Sequence, residues 1–149
     1  MILLAGHDAE VAHFVGDWEA PERPAWKPGY RAFGVLRSDG ALVAGFVFDD
    51  WHPEQRRVEL SARAVDPRAF GPRLIRRLGE YPFGQLDCFR VWARTSVDNI
   101  RCRKILKGIG FIEESTQAHW YGPFRHAVTL RVTKPEWERR WGSDRKLAA

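Results

Sequence analysis

Val58-Glu59-Leu60-Ser61-Ala62-Arg63-Ala64-Val65-Asp66-Pro67-Arg68-Ala69-Phe70-Gly71-Pro72-Arg73 decides the fold class of this 149-residue chain. From Val58 to Val65 the residues alternate. Val58, Leu60, Ala62 and Ala64 share one face and Glu59, Ser61 and Arg63 the other, the period of a strand. Asp66-Pro67 ends that strand, and Phe70, Leu74, Ile75 and Leu78 mark a helix over 70–79 that stops before Pro82. Residues 87–94 alternate again, with Phe89, Val91 and Ala93 on one face. A strand, a helix and a second strand in this order join as parallel neighbours by a right-handed crossover. The helix then starts at the C-terminal end of a central strand, where open α/β sheets take their ligands.

Upstream, Val11, Phe14, Val15 and Trp18 form the stripe of an amphipathic helix over 8–18, with Asp8 as its cap. Ala20 to Gly29 holds three prolines and reads as a loop. Residues 31–37 read as a strand, Ser38-Asp39-Gly40 as a hairpin turn, and Leu42 to Phe48 as a strand covered on both faces. Asp49 to Gln55, with Trp51 and His52, is expected to be a connection. Downstream, Ser96 to Asn99 offers caps for a helix bearing Cys102, Ile105, Leu106 and Ile109, which Gly110 ends. Two strands, 111–121 and 126–132, flank Gly122-Pro123. Thr133 and Glu136 make a capping box, so 133–149 is a short terminal helix and tail. The order predicts an α/β (α+β) fold in one domain over 1–149: a single mixed, mostly antiparallel sheet flanked by helices.

Composition narrows the class. Hydrophobic residues at 44% and aromatics at 13% exclude a disordered chain. No run approaches the ~18 apolar residues of a membrane span, and the start lacks the basic region of a signal peptide. Cys88 and Cys102 make no disulfide framework and no zinc spacing, and His7, His13 and His126 show no ligand spacing, so no metal is expected. The chain reads as soluble, reduced and cytoplasmic. The net charge is +5 and nineteen of the 24 basic residues are Arg, which favours a polyanion or a ligand with several phosphates. The alternative is arginines spread over solvated faces.

Arg68-x-x-Gly71-x-Arg73 reads either as a pyrophosphate cradle at a helix start or as an ordinary strand-to-helix turn. The stretch Asp98-Asn99-Ile100-Arg101-Cys102-Arg103-Lys104-Ile105-Leu106-Lys107-Gly108-Ile109-Gly110-Phe111 is more specific. It resembles the second signature of the GNAT superfamily of N-acetyltransferases, in which an Asn opens a helix and Gly-Phe closes it. Asn99, Cys102, Gly110 and Phe111 fill those places. Arg68-x-x-Gly71 then looks like the family's acyl-CoA pyrophosphate motif, and the element order matches over residues 8–132. Two positions depart: Arg73 stands where the family has Gly or Ala, and Leu106 stands where it often has a general-acid Tyr.

The resemblance implies a GNAT-like fold with acetyl-CoA as cosubstrate and an amine acceptor, small molecule or protein, with a homodimer among the expected assemblies. It assigns the cofactor to Ala64, Val65, Arg68, Gly71, Arg73, Asn99 and Arg103. Glu59 is the candidate base, or else a strand carboxylate paired with Arg63. Tyr121 is the candidate acid, or else an aromatic packed in the core. His52 is a further base or substrate contact. Trp18, Trp92 and Trp137 are expected in the core, as are Cys88, Cys102 and Leu106. Two other functions stay open: a protein of this fold that binds or modifies nucleic acid, and an inactive acyl-CoA-binding module. Arginines clustered at 68–77 and 99–107 favour CoA, whereas a stripe over Arg125, Arg131, Arg139 and Arg140 favours a polyanion partner.

Overall fold

The computed structural model describes residues 1–16 and 26–142. Its centre is a seven-stranded sheet in the order β1-β2-β3-β4-β5-β7-β6. The strands are β1 (Ile2–Leu4), β2 (Arg31–Leu36), β3 (Leu42–His52), β4 (Arg57–Ala64), β5 (Arg90–Ser96), β6 (Ile112–Gln117) and β7 (Ala127–Thr133). Only β4 and β5 are parallel; every other neighbouring pair is antiparallel. Helices α1 (Asp8–Gly16), α2 (Pro72–Glu80), α3 (Ile100–Gly108) and α4 (Lys134–Trp141) complete the fold. The mixed, mostly antiparallel sheet and the parallel crossover are as the sequence predicts.

Each face of the sheet has its own core. On one, α1 sets Val11, Ala12 and Val15 against Ala32 and Val47. It lies so close that a Cβ on Gly45 would stand 2.7 Å from the Val15 side chain. The other face buries Phe46, Phe48, Val58, Leu60, Val91, Leu130 and Val132 beneath Ile75, Leu78, Leu106, Ile109 and Trp137. Alternation along β4 and β5 allots residues to these faces, so Val58 and Leu60 are core while Glu59 lies opposite.

The termini of the helices follow their sequence signals. Asn99 caps α3, its side chain accepting from the Cys102 N–H at 3.1 Å. Thr133 and Glu136 form the reciprocal capping box of α4. Gly110, at φ 112, takes the left-handed backbone that ends α3.

Several boundaries differ from the expectation. β1 was not expected, because three residues on a sheet edge with Ile2 64% exposed carry no alternation to read. The expected connection at Asp49–Gln55 instead begins as β3, which runs on to His52 past an irregularity between Asp49 and His52, where Asp50 has φ 55. The helix expected over 70–79 is a 3-10 turn, Pro67–Phe70, followed by α2 from Pro72. It does not stop before Pro82 but widens into one π turn, Tyr81–Gln85, closed by Leu86 N–H on Tyr81 O at 3.0 Å. Pro82 sits in the first turn of that segment, where its missing N–H costs little. β5 begins at Arg90, leaving Phe89 46% exposed, and β6 ends at Gln117 well short of Tyr121. Trp18 and the tail after 142 lie outside the described residues.

Two substitutions test this packing. Leu106 is 3% exposed, so Leu106→Ala should destabilise by roughly 2–5 kcal/mol in urea unfolding. Gly79→Ala separates propensity from packing. In an exposed helix it would gain about 1 kcal/mol. Here the new Cβ would stand 2.1 Å from the Trp137 ring, and overpacking should reverse the sign, with a net loss of roughly 1–3 kcal/mol.

Candidate functional site

β4 and β5 pair over three residues only, Arg57 with Arg90, Val58 with Val91 and Glu59 with Trp92. Beyond that point both strands continue, to Ala64 and Ser96, but apart. The opening is a cleft of about 930 Å³ that passes from one face of the sheet to the other. Its volume lies within the range of small-molecule sites.

The backbone of β4 is left facing this gap. Val65 N–H donates to Val43 O at 2.9 Å, so in the antiparallel register the odd residues of β4 bond to β3. The N–H and C=O groups of Ala62 and Ala64 therefore point towards β5. Arg101 crosses from α3 and donates to Ala64 O at 3.2 Å.

On the face that carries α2 and α3, the cleft is lined by Ala62, Ala64, Phe70, Asn99, Cys102 and Leu106. The residues expected to hold a cofactor divide here. Ala64, Val65 and Asn99 line the cleft. Gly71 and Arg73, at the start of α2, are not part of its lining, and no protein atom lies within 4 Å of where a Gly71 Cβ would be. Arg68 is clasped by Asp66 at 2.7 Å, and this pair, with the Arg68 N–H, holds the Asp66 carboxyl down at about 2. Arg103 is not part of the site. Its guanidinium bonds Glu113 at 2.8 Å and the Val97 carbonyl at 2.7 Å, tying α3 to β6, while Arg101 faces the cleft in its place.

On the face that carries α1, the lining is polar: Lys27, Asp49, Asp50, Glu59, Arg94 and Tyr121 among others. Glu59 looks into the cleft and not beneath a helix. Arg63 turns to α1, donating to Phe14 O at 3.0 Å with its guanidinium over the Phe14 ring. Burial raises the Glu59 carboxyl to about 7, Asp49 and Asp50 adding to the effect against Arg94 and Lys27. Asp50 is bridged by Lys27 at 2.7 Å and by His52 at 3.0 Å, which leaves His52 outside the cleft lining.

Tyr121 is a half-buried wall residue, outside the two core clusters. It sits on the β6–β7 hairpin with Trp120. That hairpin is pinned by its histidines: His126 Nδ1 accepts the His119 N–H, and His119 Nδ1 accepts the Phe124 N–H, both at 2.8 Å. Trp92, expected in the core, also lines the cleft, because it falls on the Glu59 face of β5; Cys102 likewise is only half-buried there. Trp137 and Cys88 are core, as expected.

Lys27, Asp49, Asp50 and Arg94 are not singled out by the sequence, whereas Trp120 lies beside Tyr121 on the final hairpin, where the resemblance places the closing of the pocket. The available signal was Asp49-Asp50 closing an apolar strand, since acidic residues at that point need a reason to be there. Among the described residues three of the four arginines named for a stripe go to different places: Arg125 lines the cleft, Arg131 pairs with Glu136, and Arg140 donates to the Gly108 carbonyl. That distribution gives no support to a nucleic-acid face. Among the described residues no cluster of three His, Cys, Asp or Glu could hold a metal, and no helix is long and apolar enough to cross a membrane.

No family model and no curated protein matches the chain. Solved structures do. Spermidine N-acetyltransferase from Vibrio cholerae, in a dodecameric structure, superposes with a TM-score of 0.73 at 15% identity over 93% of this chain and 96% of that one. A chimera of that enzyme gives 0.74 at 15% identity over 92% and 99%. A probable acetyltransferase gives 0.62 at 23% identity over 74% of this chain and 65% of the other. The chain has the fold of these acetyltransferases, as the GNAT resemblance implies.

The raised carboxyl of Glu59 has a consequence for stability. Its pKa is ordinarily 4.5 and about 7 in the fold, so the folded state holds this proton more tightly than the unfolded chain. Its contribution is fully present below pH 4.5 and is lost as pH rises through about 7. Glu59→Gln, which cannot ionise, should therefore match the wild type in urea unfolding at acid pH and exceed it at pH ~8.5. A wild type that gains on the variant with rising pH would show that Glu59 is held ionised.

Proposed function

We propose that this chain is an acetyl-CoA-dependent N-acetyltransferase, carrying acetyl directly from the thioester to an amine acceptor. The observation that carries the reading is Glu59, a carboxylate with its proton affinity raised to near neutrality, at the acceptor side of a cleft that pierces the sheet. A base is most effective with a pKa near the working pH.

The donor side suits an acyl-CoA. Gly71 has an ordinary φ of −63° and empty space around its missing side chain, so the chain's own packing does not demand glycine there. A pyrophosphate lying on the backbone would. The N–H groups at the start of α2 and the exposed Arg73 would meet that anion. Arg68, already clasped by Asp66, would shape the loop. Ala62 and Ala64 leave room for the extended arm along β4, and Ala64, Val65 and Asn99 would line its path.

In the reaction Glu59 takes the proton from the acceptor ammonium, directly or through one water. The amine nitrogen then bonds to the thioester carbonyl carbon. A β4 N–H facing the gap, that of Ala62 or Ala64, donates to the carbonyl oxygen as charge gathers on it. The C–S bond breaks, Tyr121 gives its proton to the departing thiolate and regains one from the acetylated nitrogen as the amide forms, directly or through water, and Glu59 returns the first proton to solvent. Leu106 is buried and has no proton to give.

Acetyl-CoA at millimolar concentration should raise the melting temperature by mass action. With a suitable amine, kcat/KM should rise with pH through an apparent pKa of about 7. Glu59→Gln should lower turnover by ~10²–10⁴-fold and abolish that rise. Tyr121→Phe should lower turnover while keeping it. Absence of any acetyl-CoA shift from well-folded protein would overturn the cosubstrate assignment.

A further inference from the structure

Arg37, Arg56, Arg68, Arg90, Arg103 and Arg131 each clasp a carboxylate. Arg94 does not: among the described residues it has no carboxylate partner. It is nonetheless half-buried and lines the acceptor half of the cleft. Its guanidinium is held in place by other means. Nε donates to Thr129 Oγ1 at 3.3 Å, and Cζ lies 5.1 Å from the centroid of the Trp92 ring and 4.0 Å from that of Trp120. An arginine oriented by two indoles and one hydroxyl keeps its two terminal NH₂ groups for something else. Their fork matches the two oxygens of a carboxylate or phosphate.

Register places this fork beside the base. Glu59 is paired with Trp92, so Glu59, Trp92 and Arg94 lie on one face, with Arg94 one step further along β5. The cleft's other cations are engaged elsewhere: Lys27 bridges Asp50, Arg63 donates to Phe14 O, and Arg101 donates to Ala64 O from α3. A guanidinium fork held beside Glu59 is badly matched to a polycation, whose second ammonium it would repel. It does match an acceptor whose single amine sits at Glu59 and whose negative group sits at Arg94.

We infer that the acceptor is an amine that also bears an oxyanion, carboxylate or phosphate, gripped by Arg94, and that it is not a polyamine. This rests on the acetyltransferase reading for the amine, while the anion site stands on the geometry of Arg94 alone. The half-exposed Trp120 adds a flat apolar surface beside the fork, which suits an acceptor with an aromatic or aliphatic body.

The test uses acid and parent amine in pairs: phenylalanine with phenethylamine, O-phosphoethanolamine with ethanolamine, and spermidine as the polyamine. Thiol release from acetyl-CoA gives kcat/KM for each on the wild type, Arg94→Gln and Arg94→Lys. Thermal shift with the same compounds reports binding without turnover. The acid of one pair should exceed its parent by about ten-fold or more, and which pair does so distinguishes carboxylate from phosphate. Arg94→Gln should bring that ratio close to one. The ratio is the readout because Arg94 also acts on the Glu59 carboxyl, and an effect on the base cancels between acid and parent.

Arg94→Lys, which keeps the charge and loses the fork, should retain part of the preference and decides the matter if the Gln variant does not fold. Preference for spermidine over both acids, or a ratio that Arg94→Gln leaves unchanged, would overturn the inference. Should no amine be acetylated, a thermal shift by an acid that vanishes in Arg94→Gln upholds the anion site while the acetyltransferase reading falls. No shift by either acid in the wild type overturns the site itself.

Discussion

A parallel pair of strands normally zips along its length, because every unpaired N–H and C=O in a sheet interior costs free energy. Here β4 and β5 hold together at Arg57 to Glu59 and then separate, and the remaining organisation depends on that separation. It persists because each strand is fixed on its other edge. β3 follows β4 from Glu59 to Ala64, and β7 follows β5 from Arg90 to Ser96 without a break in register. The outer ladders keep the two strands straight while they diverge. What is left over is a row of backbone groups facing a cavity, of which Arg101 satisfies one, the Ala64 carbonyl. A ligand that runs along β4 as a strand would is the natural partner for the others.

The divergence also determines the electrostatics. Glu59 is the last paired residue of β4, so its side chain stands at the apex of the cleft, partly sheltered from water and close to Asp49 across β3. The irregularity after Asp49 turns Asp50 in as well, with Lys27 and His52 fastened to it. Burial comes first and the neighbouring carboxylates second in raising Glu59, while Arg94 and Lys27 oppose them. The group is thus held between two influences of opposite sign. Its proton affinity is set by position in the sheet and is not an accident of one contact.

The sheet, the crossover and the caps of α3 and α4 were legible because each rests on signals that are local in sequence. Alternation over Val58–Val65, the Asn99 cap, the capping box at Thr133 and the glycine at 110 all act within one or two turns of chain. Boundaries failed where a local rule met a tertiary exception. Pro82 reads as a stop but fits the first turn of a π segment, and Asp49 and Asp50 read as loop although β3 carries them to the cleft. Arg103 stands where the motif implies a cofactor contact, yet its side chain has a nearer carboxylate in Glu113.

The α1 face of the cleft had no such local code. Lys27, Asp50, Glu59, Arg94 and Tyr121 come from five separate segments and meet only when the sheet forms. The contrast follows from what each half would grip under the proposed function. An acyl-CoA can be held through backbone N–H groups, helix starts and small residues, and these requirements leave marks at fixed spacing. An acceptor is held by side chains, whose combination is free to change while the strands beneath stay the same. Arg94 illustrates the point: on its strand it is one polar residue alternating with Ala93 and Thr95. Only the arrival of Trp120 from a hairpin more than twenty residues later makes it an oriented fork.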